Sequence, residues 1–310
     1  MNRPIVIGTR KSKLALWQAQ WVKTQLASVG IASKLVPVST QGDRILDVSI
    51  SEIGSKGVFT KELENKLQNG EIDIAVHSAK DMPSVLPDSF EIIAFGPRTR
   101  ANDVLISTNK VNLANPLVIG TSSTRRVACL RHFYPHIETI DMRGNLQTRI
   151  EKMKSGACDA LILAYAGVQR LNYENMIQHV FDEKVWIPAV GQGSIAVEAH
   201  SSLDSVLRAK IRSIISHAKT VFELIAERAF LEKFEGGCSI PIFAHATSDQ
   251  NNILLRGGII SLDGKEKVSR ERSGEDPKDL GEALALEVLE AGGQKILKKI
   301  KVNLKSRKEK

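Results

Sequence analysis

The sequence predicts an α/β protein in which two α/β domains face one another across a cleft and a smaller α+β domain follows. Three observations lead there. Apolar strand-like runs alternate with amphipathic helical stretches through the first two thirds of the chain, the pattern that builds largely parallel sheets. Several of these runs stop in polar clusters, and in open α/β sheets ligands bind beyond the carboxyl ends of strands. From about Val221 the pattern changes to a helix, several strand-like runs and a further helix. At 310 residues the chain is long for one core and has room for two or three domains.

Taken in order, Pro4 to Gly8 reads as a strand and Lys13 to Ser28 as a helix, with Leu14, Trp17, Trp21 and Val22 on one face. The two tryptophans read as core positions rather than a cofactor box. Gly30 caps the helix and Ser33 to Ser39 is the next strand. Ser49 to Lys61 has no period. Its Gly54 and Gly57 flank Ser55 and Lys56, which suits a mobile lid and an ordinary loop equally. Phe59, Leu63 and Leu67 mark a helix ending near Gly70. The strand Ile72 to Val76 then runs into a polar knot of His77, Ser78, Lys80 and Asp81, closed by Pro83.

Pro97 to Asn115 reads as a crossing into a second α/β unit. There Leu117 to Gly120 is a strand, and Thr121-Ser-Ser-Thr124 caps a helix from Arg125 to about His132. Ile137 to Met142 is a strand ending in Arg143-Gly-Asn145, Leu146 to Lys154 a helix, and Asp159 to Ala164 a strand followed by Gly167 to Leu171. After Ile187-Pro-Ala-Val-Gly-Gln-Gly193, the run Ser194 to Ala199 is expected to return to the first sheet. A helix from Val221 to Glu235 stops at Gly236-Gly237, before Cys238. Strand-like Ile240 to Ala246, Ile253 to Gly257 and Gly258 to Leu262 follow, then a helix from about Pro277 to Ala291. The expected domains are residues 1–96 with 194–215, residues 97–193, and residues 216–310.

With 42% hydrophobic and 25% charged residues the composition is that of a globular protein. No apolar run approaches bilayer length, so no membrane is expected. The start Met1-Asn-Arg-Pro leads straight into Ile5-Val-Ile7 and reads as lacking a signal peptide. Cys129, Cys158 and Cys238 form an odd, sparse set without metal-ligand spacing; free thiols in a reducing, cytoplasmic compartment and no metal site are expected. The net charge of +8 is concentrated in Lys298 to Lys310, which holds seven Lys/Arg and one Glu. Such a tail reads as a solvated, frayed end, and a nucleic-acid partner is not indicated.

Arginines recur just past strand ends: Arg10, the pair Arg125 and Arg126, Arg143, and Arg149 about a helical turn later. Helix N-termini already favour anions, and guanidinium forks grip carboxylates and phosphates in two-pronged fashion. A polyanionic ligand is the expectation, and no Gly-Lys-Ser/Thr or Gly-x-Gly-x-x-Gly pattern points to a nucleotide. Asp81 is the candidate for proton transfer or for stabilising a cation. His77 reads as a structural histidine, and Asp43 and Asp47 as residues that fix a loop. Cys129 and Cys158 read as core or boundary thiols. Cys238, on a turn behind two glycines, is left open between an accessible bystander and a reactive thiol.

Collinear motifs along nearly the whole chain resemble porphobilinogen deaminases. They are Ile7-Gly-Thr-Arg-Lys-Ser12 with Leu14-Ala-Leu-Trp-Gln-Ala19, Gly54-Ser-Lys-Gly57 with Phe59 and Lys61-Glu62, and Asp73 to Pro83. Gly120-Thr-Ser-Ser-Thr-Arg-Arg126, Arg143-Gly-Asn145, Pro188-Ala-Val-Gly-Gln-Gly193 and Glu235-Gly-Gly-Cys238 continue the series. The resemblance implies two α/β domains of the periplasmic-binding-protein type around a cleft, a smaller α+β third domain, and a monomer. It implies head-to-tail condensation of four porphobilinogen molecules with loss of ammonia, followed by hydrolytic release of a linear tetrapyrrole. The condensation would run on a dipyrromethane cofactor bound as a thioether to Cys238, with Asp81 as the catalytic carboxylate. Arg10, Arg125, Arg126, Arg143 and Arg149 would hold the acetate and propionate groups, Lys80 would add to their field, and Lys56 would close from the lid. Ser78, Thr121, Ser123 and Gln192 are the hydrogen-bonding supports so implied. Glu52 stands where some relatives carry a basic residue, so only Lys56 is carried over from that loop.

Two other classes compete on sequence alone. A solute-binding protein would share the two domains and the anion-binding cleft, but would need no thiol at Cys238 and would usually carry an export signal. A nucleic-acid-binding module would rest on the basic tail alone.

Overall fold

A computed structural model of the chain describes residues 3–44, 59–235, 239–249 and 252–308. Its strands are, in chain order, β1 (Ile5–Arg10), β2 (Ser33–Val38), β3 (Ile74–Ser78), β4 (Phe90–Phe95), β5 (Asp103–Ile106), β6 (Val118–Gly120), β7 (Glu138–Ile140), β8 (Ala160–Ala164), β9 (Ile177–Val180), β10 (Ile195–His200), β11 (Ile242–Asp249), β12 (Asn252–Ile260) and β13 (Lys267–Gly274). They form two five-stranded sheets and one three-stranded sheet.

The first sheet runs β2-β1-β3-β10-β4 and the second β7-β6-β8-β5-β9. In each, three parallel strands are followed by an antiparallel one and then an edge strand. The antiparallel strand is in both cases the newcomer: β5 follows β4 into the second sheet, and β10 follows β9 back into the first. The segment read as a plain crossing therefore contains β5, whose residues Asp103 to Ile106 are all buried. The carboxyl ends of β1, β3, β6 and β8 are free for a site, because their crossover helices return on the sheet faces.

The helix Lys13–Ser28 begins at Ser12, whose Oγ accepts the Ala15 N–H at 3.3 Å. Its buried face is Ala15, Gln18, Ala19, Val22 and Leu26, the i, i+4, i+7, i+11 row. The face expected from the tryptophans is offset by part of a turn, and Trp17 is an exposed residue rather than a core one. In the helix Lys61–Gln68, Leu63 and Leu67 are buried as the spacing requires. Phe59 lies ahead of that helix and stacks under the Arg10 guanidinium, 4.2 Å from the ring centre.

The third body pairs the antiparallel sheet β11-β12-β13 with the helices Ala218–Lys233 and Pro277–Val288 around Phe230, Phe234, Leu284 and Val288. β12 is one strand where two were expected. Gly257 and Gly258 are not a break: a Cβ at either would come within 2.8 Å of the Phe230 or Phe243 ring, so they let aromatic rings lie against the strand. Past Val288 the chain makes a wide turn through Gly292 (φ 113°) and continues as the helix Gln294–Lys308. Most of the expected frayed tail is thus ordered helix. Ile296, Leu297 and Ile300 are buried, and Lys299 and Lys301 pair with Glu266 and Glu235 at 2.6 and 2.8 Å. Among the described residues no helix is long and apolar enough to cross a membrane.

Candidate active site

Between the first two sheets, at the carboxyl ends of their parallel strands, lies a cleft of about 1490 Å³. β3 supplies its centre. Past Ser78 the chain turns through one 3₁₀ turn, Ala79–Asp81, held by the Ala79 N–H on Ser194 O (3.0 Å) and the Met82 N–H on Ala79 O (3.3 Å). Ala79 and Met82 point into an apolar cluster with Phe95, Ala196 and Leu224. Lys80 and Asp81, between those anchors, line the cleft. Ser78 Oγ accepts from Gln18 Nε2 at 2.9 Å.

The Lys80 ammonium donates to Gln192 Oε1 at 3.3 Å. Burial, reinforced by the Arg126 charge, lowers its pKa to about 8 against the pull of Asp81 and Asp103. Gln192 is itself buried, its Nε2 donating to Ala101 O (2.6 Å) and Asp103 Oδ1 (2.9 Å). It is a bridge from Lys80 to the second domain.

Arg125 and Arg126, expected to face a ligand, are buried and shared with a carboxylate that the sequence reading missed. Arg126 places Nε and Nη2 on Asp103 Oδ1 (3.1 and 2.7 Å) and Nη1 on Ile162 O (2.9 Å). Arg125 places Nη2 on Asp103 Oδ2 (2.6 Å) and Nη1 on Ile187 O (3.1 Å), while its buried Nε has no acceptor among the described residues. Trp186 Nε1 and Gln192 also donate to Asp103. Burial alone would push the Asp103 carboxyl up, but the two guanidinium charges outweigh it and hold it well below the usual carboxylate range. The signal for Asp103 is in the sequence: an acid opening the otherwise apolar run Asp103-Val-Leu-Ile106 has to be paired when that run is buried.

Arg143 is buried and Arg149 half-buried on the opposite wall. Arg149 donates from Nε to Gly144 O at 2.8 Å. Burial, with Arg126 and Arg143 adding to it, lowers its pKa to about 10. Asn145 caps the helix Leu146–Lys154 by accepting the Thr148 N–H at 3.0 Å, which fixes where Arg143 and Arg149 emerge. Arg10 is clamped on Asp43, which also accepts the Thr40 hydroxyl at 2.8 Å, so Asp43 holds the loop and the arginine together.

Ser123 lines the cleft as the N-cap of the helix Thr124–Phe133. Thr121 does not: it is buried beneath the turn, its hydroxyl accepting the Ser123 N–H at 3.3 Å. Arg170, absent from the sequence reading, repeats the strand-end pattern after β8 and also lines the cleft. Its Nη2 donates to Gly193 O (2.8 Å) and Thr99 Oγ1 (3.1 Å), its ring neighbour is Trp17, and its buried Nε lacks an acceptor among the described residues. Burial lowers its pKa to about 10. His77 of β3 and Glu198 of β10 form a buried pair, Nε2 to Oε2 2.9 Å. Cys129 and Cys158 are buried thiols, the former raised to about 11 by burial. Lys56 and Cys238, with Asp47, Glu52, Gly54 and Gly57, lie outside the described residues.

The site thus sets the Asp81 carboxylate among Lys80, Arg126, Arg143 and Arg149, and Asp43, Glu64, Glu232 and Glu235 also line the cleft. Such a field binds several carboxylates at once and can steady a cation that forms beside Asp81. Among the described residues no cluster of three or more His, Cys, Asp or Glu could hold a metal ion.

A family model described as porphobilinogen deaminase, dipyromethane cofactor binding domain, matches residues 5–208, and one described as porphobilinogen deaminase, C-terminal domain, matches residues 221–290. The porphobilinogen deaminase of Desulfosudis oleivorans is 50% identical over 303 residues, covering 96% of this chain and 98% of that one. That of Cytophaga hutchinsonii is 50% identical over 309 residues, covering 98% and 99%. Among solved structures, the second substrate binding domain of a putative amino acid ABC transporter from Streptococcus pneumoniae Canada MDR_19A overlays with a TM-score of 0.43 at 11% identity, over 68% of this chain and 91% of that one.

Proposed function

The chain belongs to the porphobilinogen deaminase family, and from that premise we propose that it is the transferase that joins four porphobilinogen molecules head to tail, with loss of ammonia, on a dipyrromethane cofactor held as a thioether by Cys238. Hydrolysis then releases the linear tetrapyrrole. The observation that carries this reading is Asp81 at the end of β3, in a cation-walled cleft together with Lys80, Arg143 and Arg149.

The residues present fit a cofactor that bears carboxylates. Arg125 and Arg170 each keep a buried Nε–H without an acceptor among the described residues, and both line the cleft. Unpaired buried donors cost about 1–3 kcal/mol apiece and call for a ligand oxygen. The cleft of about 1490 Å³ exceeds the roughly 300–1,000 Å³ of ordinary small-molecule pockets, which suits a chain of several pyrroles. Dipyrromethane, when bound, supplies the nucleophilic pyrrole carbon.

This chain's residues do the rest. Arg125, Arg143, Arg149 and Lys80 take the acetate and propionate groups of porphobilinogen, and Arg10 and Lys56 add to that grip. As ammonia leaves, positive charge spreads onto the substrate's pyrrole N–H. The Asp81 carboxylate accepts a hydrogen bond from that N–H and steadies the charge in a partly water-free site. One Asp81 oxygen then takes the proton released as the new bond forms. Gln192 holds Lys80 in place, Ser78 and Ser123 offer hydroxyls to the ligand, and Thr121 shapes the turn from beneath.

Intact mass of the denatured protein tests the reading, with wild type beside Cys238→Ser, before and after addition of porphobilinogen. Wild type is expected to carry the mass of two pyrrole units and the variant none. A wild-type chain that gains no mass on porphobilinogen overturns the proposal.

A further inference from the structure

One stripe of the helix Ala218–Lys233 is built around the segment that carries Asp81. Leu224 packs with Ala79 and Met82, the two residues that anchor the turn from below. Glu227 accepts the Gly191 N–H at 2.8 Å. Gly191 in turn lies against that turn, where a Cβ would come within 2.8 Å of the Ala79 carbonyl carbon and 3.0 Å of Lys80 N. Arg228 completes the set, its Nη2 donating to Pro83 O at 3.0 Å and Ser84 O at 3.1 Å. Positions i, i+3 and i+4 share one helix face, so two direct grips on residues 79–84, and a third through Gly191, come from a single rigid element. The helix then ends at Lys233, five residues before Cys238 in the sequence.

Arg228 does not itself line the cleft. Its guanidinium is given to two backbone carbonyls, with Glu232 the opposing charge and burial lowering its pKa. Two bonds from one nitrogen to consecutive carbonyls fix the backbone path rather than neutralise a charge. That path begins two residues after Asp81.

We propose that Arg228 is a positioning residue for Asp81. Its paired hydrogen bonds lock the strand-end segment to the helix that leads to Cys238, so that the carboxylate stays in register with the place where each new bond forms. This rests on the deaminase reading above. A reacting group displaced by about 1 Å can lose up to about 10²-fold in rate, while remote carboxylate grips that set substrate binding are untouched.

Two variants separate positioning from folding. Arg228→Met keeps the apolar stem and removes both donors; Arg228→Lys keeps a cation with donors. Arg228→Met is expected to carry the same cofactor mass as wild type, with KM for porphobilinogen within about twofold and kcat about tenfold lower. Arg228→Lys should recover part of the loss. A wild-type kcat in Arg228→Met overturns the inference, as does a fall in thermal stability that tracks the loss of rate without recovery in Arg228→Lys. Should Arg228→Met not fold, Arg228→Gln, which keeps a donor but not its reach, decides by the same split of kcat from KM. A wild-type protein with neither cofactor mass nor turnover sinks the deaminase reading instead; a loaded, active wild type beside an unaltered variant sinks only this inference.

Discussion

Lys80 is the cleft cation with the least secure charge. Its pKa is lowered from 10.5 to about 8 by burial and by Arg126, so rising pH removes one positive charge from the carboxylate-binding field just above neutrality. The value of kcat/KM for porphobilinogen is expected to fall as pH passes about 8. Stability moves the other way in that window. Between about 8 and 10.5 the unfolded chain keeps the Lys80 proton that the folded chain has lost, so this group adds stability as pH rises. The loss of activity there is therefore not unfolding. In Lys80→Arg the guanidinium stays charged and the alkaline limb should disappear; a limb that persists near pH 8 belongs to another group. The pair Asp81 and Asp103 shows what single residues reveal before folding. Asp81 is legible because polar side chains crowd the end of an apolar strand. Asp103 belongs to a four-residue strand inside a crossing, and its partners Arg125, Arg126, Trp186 and Gln192 come from elsewhere in the chain. Only tertiary contact makes it the counter-charge that takes up most of two arginines expected to face a ligand.

The turn Ala189–Gly193 is the element that joins β3's polar end to the rest of the cleft. Gly193 has φ 95°, and a Cβ there would come within 2.5 Å of Thr99 O. Its carbonyl accepts from Thr99 Oγ1 (2.8 Å) and Arg170 Nη2 (2.8 Å). Gly193→Ala is therefore expected to cost about 1–3 kcal/mol in stability, read from the denaturant midpoint, and to raise KM by loosening Arg170. A midpoint equal to wild type would show that the turn has room to relax. The glycines of this turn are visible in the sequence, whereas their neighbours are not. Element faces follow the same division. Ile74 to Val76 and Leu63 with Leu67 are buried as their spacing requires. Trp17 misleads because bulk suggests core, yet the small row Ala15, Ala19, Val22 is what fits against the sheet. β13 has the polar, exposed run Lys267 to Gly274 of an edge strand, with no apolar alternation to announce it.

At the scale of the molecule, the double exchange of strands means that two chain segments cross between the first two bodies, and both are tied to the third at one buried carboxylate. Glu227 takes Arg98 from the first crossing (2.6 and 3.0 Å), the Gly191 N–H from the second (2.8 Å) and the Ala246 N–H of β11 (2.8 Å). The crossings are legible as breaks in the strand–helix alternation; the hub is not, because in sequence Glu227 is an ordinary helical glutamate. Burial by itself would raise its pKa, but the Arg98 charge, with His245 beside it, outweighs it and carries it down to about 2. The sign of its pH dependence follows. The folded-state pKa lies below the unfolded value of 4.5, so this contribution is complete above about 4.5 and is lost as pH falls toward 2. Glu227→Gln leaves Arg98 buried without its carboxylate and sets an amide against two backbone donors, at a cost of about 3–5 kcal/mol near neutrality. Urea unfolding of wild type and variant from neutral to acid pH should show that gap narrowing below about 4.5. A gap that stays constant with pH would mean that the bonds at Glu227 act through shape alone, and that its charge does not hold the two crossings to the third body.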